Sequence, residues 1–477
     1  MFVAPVLVGG ATGDALLTRM NDAHPTLVAA LARAADAPPA PARPVGRLVL
    51  VVIDGVGEPY FDREIRAGTL RPVTWSQPVD TGTPSLSRPS YHTLFTGVAQ
   101  DLAGVGNNRY AGRARADTVM NRVRDAGGTV AWALETVDWM HGLAGLPHEP
   151  YLRQYATHDL DAVAALAASH TLTVVHWVTT DEVAHNHGAR SARYDREVRT
   201  CLTRASQLHD RLAAALGPAG FTLLVGADHG HVARGGHGGP DADVVHTRWV
   251  RLGGPPSVAP PLARQPETVL AATFTDALGL PPPRAATGCP LPLAGVTSRA
   301  DCAAITRRRD TLDRALAEVR SGANHRAALR LTLFTIAIVL CAIRLPNEIV
   351  RSRTIRALTA LGAVLAGAAA SYALLGPGLT LSAIRTQRAF LVHATLSTMV
   401  GALVAWIVAH RITRARTSDT ALATVTVPLA ALCYVGGSSG EAMLGDVGRL
   451  LAPALGLLPG AACAAIALGS LAARRPR

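Results

Sequence analysis

The chain has 477 residues, a formal net charge of +12 and 49% hydrophobic residues, a length that accommodates two domains. All of its 46 basic residues are arginine; without lysine, a Walker A phosphate loop, a pyridoxal Schiff base and a Ser-Lys catalytic pair are excluded. The six cysteines include no Cys-x-x-Cys, which removes a zinc ribbon and a thioredoxin-like site.

The chain order gives a further division. Residues 1–46 read as a helical lead-in to about residue 37 and a Pro/Ala linker from Pro38 to Pro44. Phe2 to Gly10 is apolar but lacks the basic start and long core of a secretory signal. Residues 47–288 read as a catalytic domain. Leu48 to Ile53 is an unbroken apolar run closing on Asp54-Gly55, the pattern of a strand buried on both faces of a parallel sheet. Thr173 to Val178 and Phe221 to Val225 repeat it and close on Asp181 and Asp228. Helical patterns such as Tyr194 to Leu216 alternate with these runs, so the expected fold is α/β, a mostly parallel sheet flanked by helices. In such sheets ligands gather at the carboxyl ends of the strands, so the three aspartates are expected to converge. Proline-rich patches at Pro255 to Pro266 and Pro281 to Pro283 make loops near the end of this domain.

Residues 289–326 form a charged connector, helical over 307–326. Residues 327–477 read as an all-α transmembrane domain of four to five helices. Ala357 to Ile384, Ala389 to Ala409, Thr420 to Val435 and Leu450 to Ala473 are near or above the roughly 20 residues that cross a bilayer. Leu331 to Ile343, bounded by Arg330 and Arg344, is shorter and crosses only if both arginines reach back to the interface. The charge follows the same boundary: residues 1–306 hold 26 Arg against 27 acids, net −1, and residues 307–477 hold 20 against 7, net +13. Arginines among apolar segments fit anionic lipid headgroups, so membrane lipid is an expected partner and a nucleic-acid duplex is not. With four spans, the positive-inside rule puts the arginine clusters and the catalytic domain on the cytoplasmic side of a plasma membrane, the inner membrane of a bacterium; five spans put the domain outside.

The chemistry concentrates in four short stretches. They are Asp54-Gly55, Pro84-Ser85-Leu86-Ser87-Arg88-Pro89, Asp181-x-x-x-His185-x-x-Gly188, and Asp228-His229-Gly230 with Gly236-His237-Gly238 behind it. Carboxylates and neutral imidazoles are what a pair of divalent cations such as Zn²⁺ needs, and a serine beside such a pair is ionised at neutral pH. Each element has a plainer reading. Asp54 alone could cap a turn, Asp181 and His185 could be a solvated helical pair, and Asp228-His229-Gly230 could be an ordinary turn. His231, His187 and His246 read as outer or surface histidines, and Arg88 either caps a helix or touches phosphate.

In kind and in order these motifs resemble the alkaline phosphatase superfamily, in its nucleotide pyrophosphatase/phosphodiesterase and phosphoethanolamine transferase branches, over roughly residues 47–255. The resemblance implies one metal on Asp54, Asp228, His229 and the nucleophile Ser87, and a second on Asp181, His185 and His237. It implies phosphoryl-oxygen donors in Asn108 and the amide of Arg88, and two divalent cofactor ions, Zn²⁺ or alternatively Mn²⁺. The phosphodiesterases carry Asn after the proline where this chain has Ser90, and Ser-Arg-Pro is more like the glycolipid transferases. The expected function is therefore a membrane-attached phosphodiesterase or nucleotide pyrophosphatase acting through a phosphoserine. The alternatives are a phosphoethanolamine- or phosphoglycerol-type transferase on lipid-linked substrates, a phosphomonoesterase, or a domain that only binds a phosphorylated ligand. Expected partners are a phosphate ester, nucleotide or lipid-linked, and the membrane. Cys289 and Cys302 read as isolated reduced cysteines, with pairing open only in an oxidising compartment. Cys341, Cys433 and Cys463 read as packing residues.

Overall fold

In the computed structural model the described residues are 21–35, 43–135, 138–256, 263–296, 298, 300–343 and 382. The four apolar segments beginning at Ala357, the Phe2 to Gly10 stretch, Cys433 and Cys463 lie outside them, apart from Ser382.

Eight strands form one sheet: β1 (Leu48–Ile53), β2 (Val73–Asp80), β3 (Val130–Leu134), β4 (Tyr151–Arg153), β5 (Leu172–Trp177), β6 (Thr222–Gly226), β7 (His246–Leu252) and β8 (Gln265–Pro266). Their order is β4-β3-β5-β1-β6-β7-β2-β8. β1 pairs in parallel with both β5 and β6, β5 with β3, and β3 with β4. β7 runs antiparallel to β6 and to β2, so the expected mostly parallel sheet ends in a mixed edge. β1 sits centrally, and all six of its residues are buried, as an apolar run with no alternation requires.

The principal helices are α1 (Pro25–Ala35), α2 (Glu58–Arg66), α3 (Ser87–Thr96), α4 (Leu160–Ser169), α5 (Thr179–His187), α6 (Ala192–Leu216), α7 (Val269–Ala277) and α8 (Cys302–Ile343). α6 is amphipathic, and its buried stripe of Tyr194, Val198, Cys201, Leu202, Ala205, Leu208 and Leu212 joins β1, β5 and β6 in one core. That spacing of three and four residues is what turns one helix face toward a sheet. The compact unit carrying the sheet spans Ala23–Leu316. Among the described residues no helix is long and apolar enough to cross a membrane; this includes Leu331 to Ile343, which forms the end of α8.

One cysteine expectation is corrected. Cys289 and Cys302 are joined as a disulfide, with Cα atoms 5.5 Å apart. The 13-residue separation closes because the chain after α7 doubles back, so that Cys302, the first residue of α8, returns beside Cys289. Buried Cys201 remains a free thiol.

Candidate metal centre

The parallel topology delivers the predicted aspartates to one rim. Asp54 directly follows β1, Asp228 follows β6 by two residues, and Asp181 lies in α5 just after β5. Neighbouring parallel strands end side by side, so residues distant in sequence meet. Asp54, Asp228 and His229 place one ligand atom each within 4.8 Å of one another, and so do Asp181, His229, His231 and His237. His229 belongs to both groups, which makes the centre one continuous cluster.

The geometry inside this cluster is that of ligands rather than of hydrogen bonds. His229 Nε2 is 3.3 Å from Asp54 Oδ1 and 3.4 Å from Asp228 Oδ2, and His231 Nε2 is 2.9 Å from Asp181 Oδ1. Yet Asp54 Oδ1, Asp228 Oδ2, Asp181 Oδ1 and His231 Nε2 are all buried without a hydrogen bond. Unpaired buried polar atoms are costly, and four of them facing one volume need a common partner. Two ligands on one tetrahedral ion with bonds of about 2.0 to 2.2 Å stand about 3.3 to 3.6 Å apart, which matches the two His229 separations.

Histidine orientation agrees. His229 Nδ1 lies 3.2 Å from Gly230 O, His231 Nδ1 2.9 Å from Gly55 O, and His237 Nδ1 3.1 Å from Ser85 O. Each ring donates its Nδ1–H to a backbone carbonyl and turns its Nε2 lone pair into the cluster, the arrangement that a metal-ligating histidine needs. Burial lowers His229 to about 4 and holds His237 well below the ordinary histidine value, so both are neutral and competent to ligate at neutral pH. Burial and the nearby Asp54 carboxylate push Asp228 well above the carboxylate range. Burial alone would also raise Asp181, but His231 and its neighbouring imidazoles outweigh it and hold Asp181 low. Carboxylates crowded into a dry pocket repel one another, and divalent cations relieve that repulsion. The residues are therefore a donor set that could hold divalent metal.

His185 is one helical turn from Asp181, and its Nε2 is 3.4 Å from Asp181 Oδ2 and 3.1 Å from His237 Nε2. The expected pair thus touches the cluster, but from its open side, where the Asp181 and His185 side chains are 15% and 24% exposed. His231, read from sequence as an outer histidine, is instead inside. Gly55 makes room for it: φ is +76° there, and a Cβ would lie 2.3 Å from His231 Cε1.

Ser87 is the first residue of α3 and is buried. Its Oγ lies 3.2 Å from His229 Nε2, within the first ligand group. Of the first amides of this helix only that of Ser87 is left to face an approaching anion, because Pro89 has no N–H and Ser90 N–H is bonded to Leu86 O. Ser85 is otherwise engaged: its hydroxyl donates to Gly239 O at 2.8 Å and accepts from Gly238 N–H. The Arg88 amide expected to meet a phosphoryl oxygen is taken by Asn108 Oδ1 at 2.9 Å. That bond fixes the Asn108 amide group, so its Nδ2 is the donor left for an incoming oxygen. Arg88 carries its guanidinium 5.2 Å above the Trp139 ring and is only 9% exposed. Ser90, the departure from the phosphodiesterase pattern, joins Asp228 O to the Glu267 carboxyl. Burial raises the Glu267 carboxyl well above its ordinary value, and the Ser90 hydroxyl lies between that carboxyl and Asp228 O.

Residues that the motifs did not reveal surround this set. Glu135, at the end of β3, accepts from the amides of Val178 and Thr179 at 2.6 and 2.9 Å and so caps α5, the helix that carries Asp181 and His185. Tyr91 and His176 both reach Asp54. A histidine inside the apolar run of β5 was the one visible signal.

No protein-family model and no curated protein matches this chain. Among solved structures it is similar to the alkaline phosphatase PafA, with 11% identity over 53% of this chain and 99% of that one and a TM-score of 0.43. It is similar to murine ectonucleotide pyrophosphatase/phosphodiesterase 5, with 15% identity over 39% of this chain and 57% of that one and a TM-score of 0.32. It is also similar to a 2-O GAG sulfatase, with 12% identity over 52% and 73% of the two chains and a TM-score of 0.40.

Proposed function

We propose that the chain is a metal-dependent phosphoric ester hydrolase of the alkaline phosphatase superfamily, of the phosphodiesterase or nucleotide pyrophosphatase type, with Ser87 as nucleophile. The observation that carries this reading is the placement of Ser87 Oγ, 3.2 Å from a histidine shared by two ligand groups, at the start of a helix. Asp54, Asp228 and His229 would hold one divalent ion, and Asp181 with His237 and either His185 or His231 the other. Zn²⁺ suits the imidazoles, and Mn²⁺ is the alternative. Such ions lower the pKa of the serine hydroxyl and offset the charge that develops on phosphoryl oxygens.

The protein groups do the rest. Asn108 Nδ2 and the Ser87 amide orient the phosphoryl oxygens, and the buried Arg88 cation balances negative charge nearby. Ser87 Oγ bonds to phosphorus as the ester oxygen departs, giving phosphoserine; water then cleaves that bond, freeing the phosphate product and restoring Ser87. The open side at Asp181 and His185 is the proposed entry for substrate and water.

A transferase reading, in which a lipid-linked alcohol replaces water, is favoured by Ser87-Arg88-Pro89 and would suit the membrane attachment expected from the sequence of residues 327–477. The side of the membrane is argued two ways: the arginine distribution favours the cytoplasm, whereas the Cys289–Cys302 disulfide favours an oxidising compartment. The functional test is a panel of chromogenic phosphomonoesters and phosphodiesters with detergent-solubilised protein and Zn²⁺ or Mn²⁺. Diester turnover above monoester turnover is expected; absence of metal-dependent turnover on the whole panel would reject the proposal. A modified lipid in place of a free phosphate monoester identifies the transferase.

A further inference from the structure

Asp54 is gripped from behind. Its Oδ2 accepts the Tyr91 hydroxyl and stands 3.1 Å from His176 Nε2, while Tyr91 Oη and His176 Nε2 are 2.9 Å apart. Tyr91 and His176 are 0% exposed and Asp54 1%. The other carboxylate oxygen, Oδ1, makes no hydrogen bond and faces His229 Nε2. One oxygen is thus fully engaged by protein donors, and the other is left wholly to the ligand group.

Packing alone does not call for this triangle. A phenylalanine would fill the place of Tyr91, and an aliphatic residue would suit a strand as apolar as β5. Burying a phenol and an imidazole beside a carboxylate is unfavourable unless the groups bond one another, and His176 Nδ1 is still left without a partner. The arrangement does restrict Asp54. A free carboxylate can rotate and offer either or both oxygens; with Oδ2 held by two donors, only Oδ1 faces the ion, in one direction. Tyr91 is also four residues after Ser87 on α3, so the two share a helix face. The bond from Tyr91 to Asp54 therefore fixes the distance between the nucleophile's helix and the strand end that carries the ligand.

We propose that Tyr91 and His176 are positioning residues for the first metal group, fixing Asp54 to single-oxygen ligation and tying the Ser87 helix to it. This rests on the metal-centre reading given above. Partners that orient a ligand in this way change metal affinity by about 10- to 100-fold when removed.

The test is titration of demetallated full-length protein with Zn²⁺ by calorimetry, in wild type, Tyr91→Phe, His176→Leu and His176→Gln, each also in an Asp181→Asn background that removes the second group's binding phase. Tyr91→Phe and His176→Leu are expected to weaken the first phase about 10- to 100-fold, leave the second unchanged and lower kcat more than they raise KM. Gln places an amide nitrogen near the position of His176 Nε2, so His176→Gln is expected to recover most of the affinity. Wild-type affinity for both ions in Tyr91→Phe and His176→Leu would overturn the proposal. So would equal weakening in His176→Leu and His176→Gln, the mark of lost packing. If Tyr91→Phe does not fold, the two His176 variants decide it. Wild type taking up no Zn²⁺ would remove the metal-centre reading and this inference with it, whereas two ions in wild type with an unchanged first-phase affinity in Tyr91→Phe and both His176 variants would remove this inference alone.

Discussion

His229 and His237 stack face to face, with ring centroids 3.9 Å apart and planes 12° from parallel. Each stacked ring also turns its Nε2 toward a different aspartate, His229 toward Asp54 and Asp228, His237 toward Asp181. The two ligand groups are consequently in direct contact through this pair of rings.

Asp228→Ala is expected to lose metal and activity together. It removes a carboxylate that accepts from Gly55 N–H as well as facing His229, and it leaves positive charge poorly compensated. Metal analysis of the purified protein should give about two ions per chain in wild type. Full activity in Asp228→Ala without bound transition metal would reject the centre.

Ser87→Ala should keep both ions and lose about 10³-fold or more in turnover, because it deletes the atom that bonds to phosphorus while leaving the ligand set intact. Rapid quenching of wild type with a labelled diester should trap the label on Ser87. Wild-type turnover in Ser87→Ala would end the assignment. Ser85 would be a poor replacement, since its hydroxyl is committed to Gly239 and Gly238.

Arg88→Gln should lower kcat/KM for anionic esters about 10- to 100-fold, the range for a hydrogen bond to a charged group. The guanidinium is nearly buried and has no acidic partner among the described residues, so an arriving anion would be its counter-charge. Unchanged kinetics in this variant would leave Arg88 as a packing partner of Trp139.

Protonation of His229 should compete with the first ion only near pH 4. A proton competes with metal for His229 Nε2, and that nitrogen is held down to about 4 by burial. In the metal-free protein the same shift has a stability consequence. His229, and His92 at about 3, bind protons less readily folded than unfolded. As pH falls from the ordinary histidine value toward 4, the unfolded chain therefore takes up more protons and this contribution to stability is lost. Buried Asp228 and Glu267, raised by burial, act in the opposite sense, so the histidine part is read from wild type minus His229→Gln and His92→Gln. Equilibrium dialysis across pH 3 to 7 of wild type and His229→Gln measures metal retention; the same retention in both would show that His229 is not a ligand.

Cys289 and Cys302 should resist alkylation in protein taken directly from cells, if the catalytic unit lies in an oxidising compartment. A periplasm-only and a cytoplasm-only reporter fused to the amino terminus give the independent answer, and only activity of the cytoplasmic one supports the placement argued from arginine.

The aspartates, the central strands and the order of the histidines were legible in sequence because each rests on a local pattern. An apolar run that ends in Asp announces both a buried strand and the rim where it stops, as with Leu48 to Asp54. What was not legible rests on pairs far apart in the chain. His231 becomes a member of the cluster only because Gly55, 176 positions earlier, lacks a side chain and offers its carbonyl. Ser90 was visible as a departure from pattern, but Glu267, 177 positions later, supplies the reason. The disulfide was missed because thirteen residues of spacing say nothing about whether a loop doubles back.

The anchoring of three imidazoles on the carbonyls of Gly230, Gly55 and Ser85 has a consequence for how the protein is supplied with ions. Rings held by main-chain carbonyls keep their Nε2 atoms directed into the cluster without help from an ion. A chelator should then yield a soluble, refillable form rather than a denatured one.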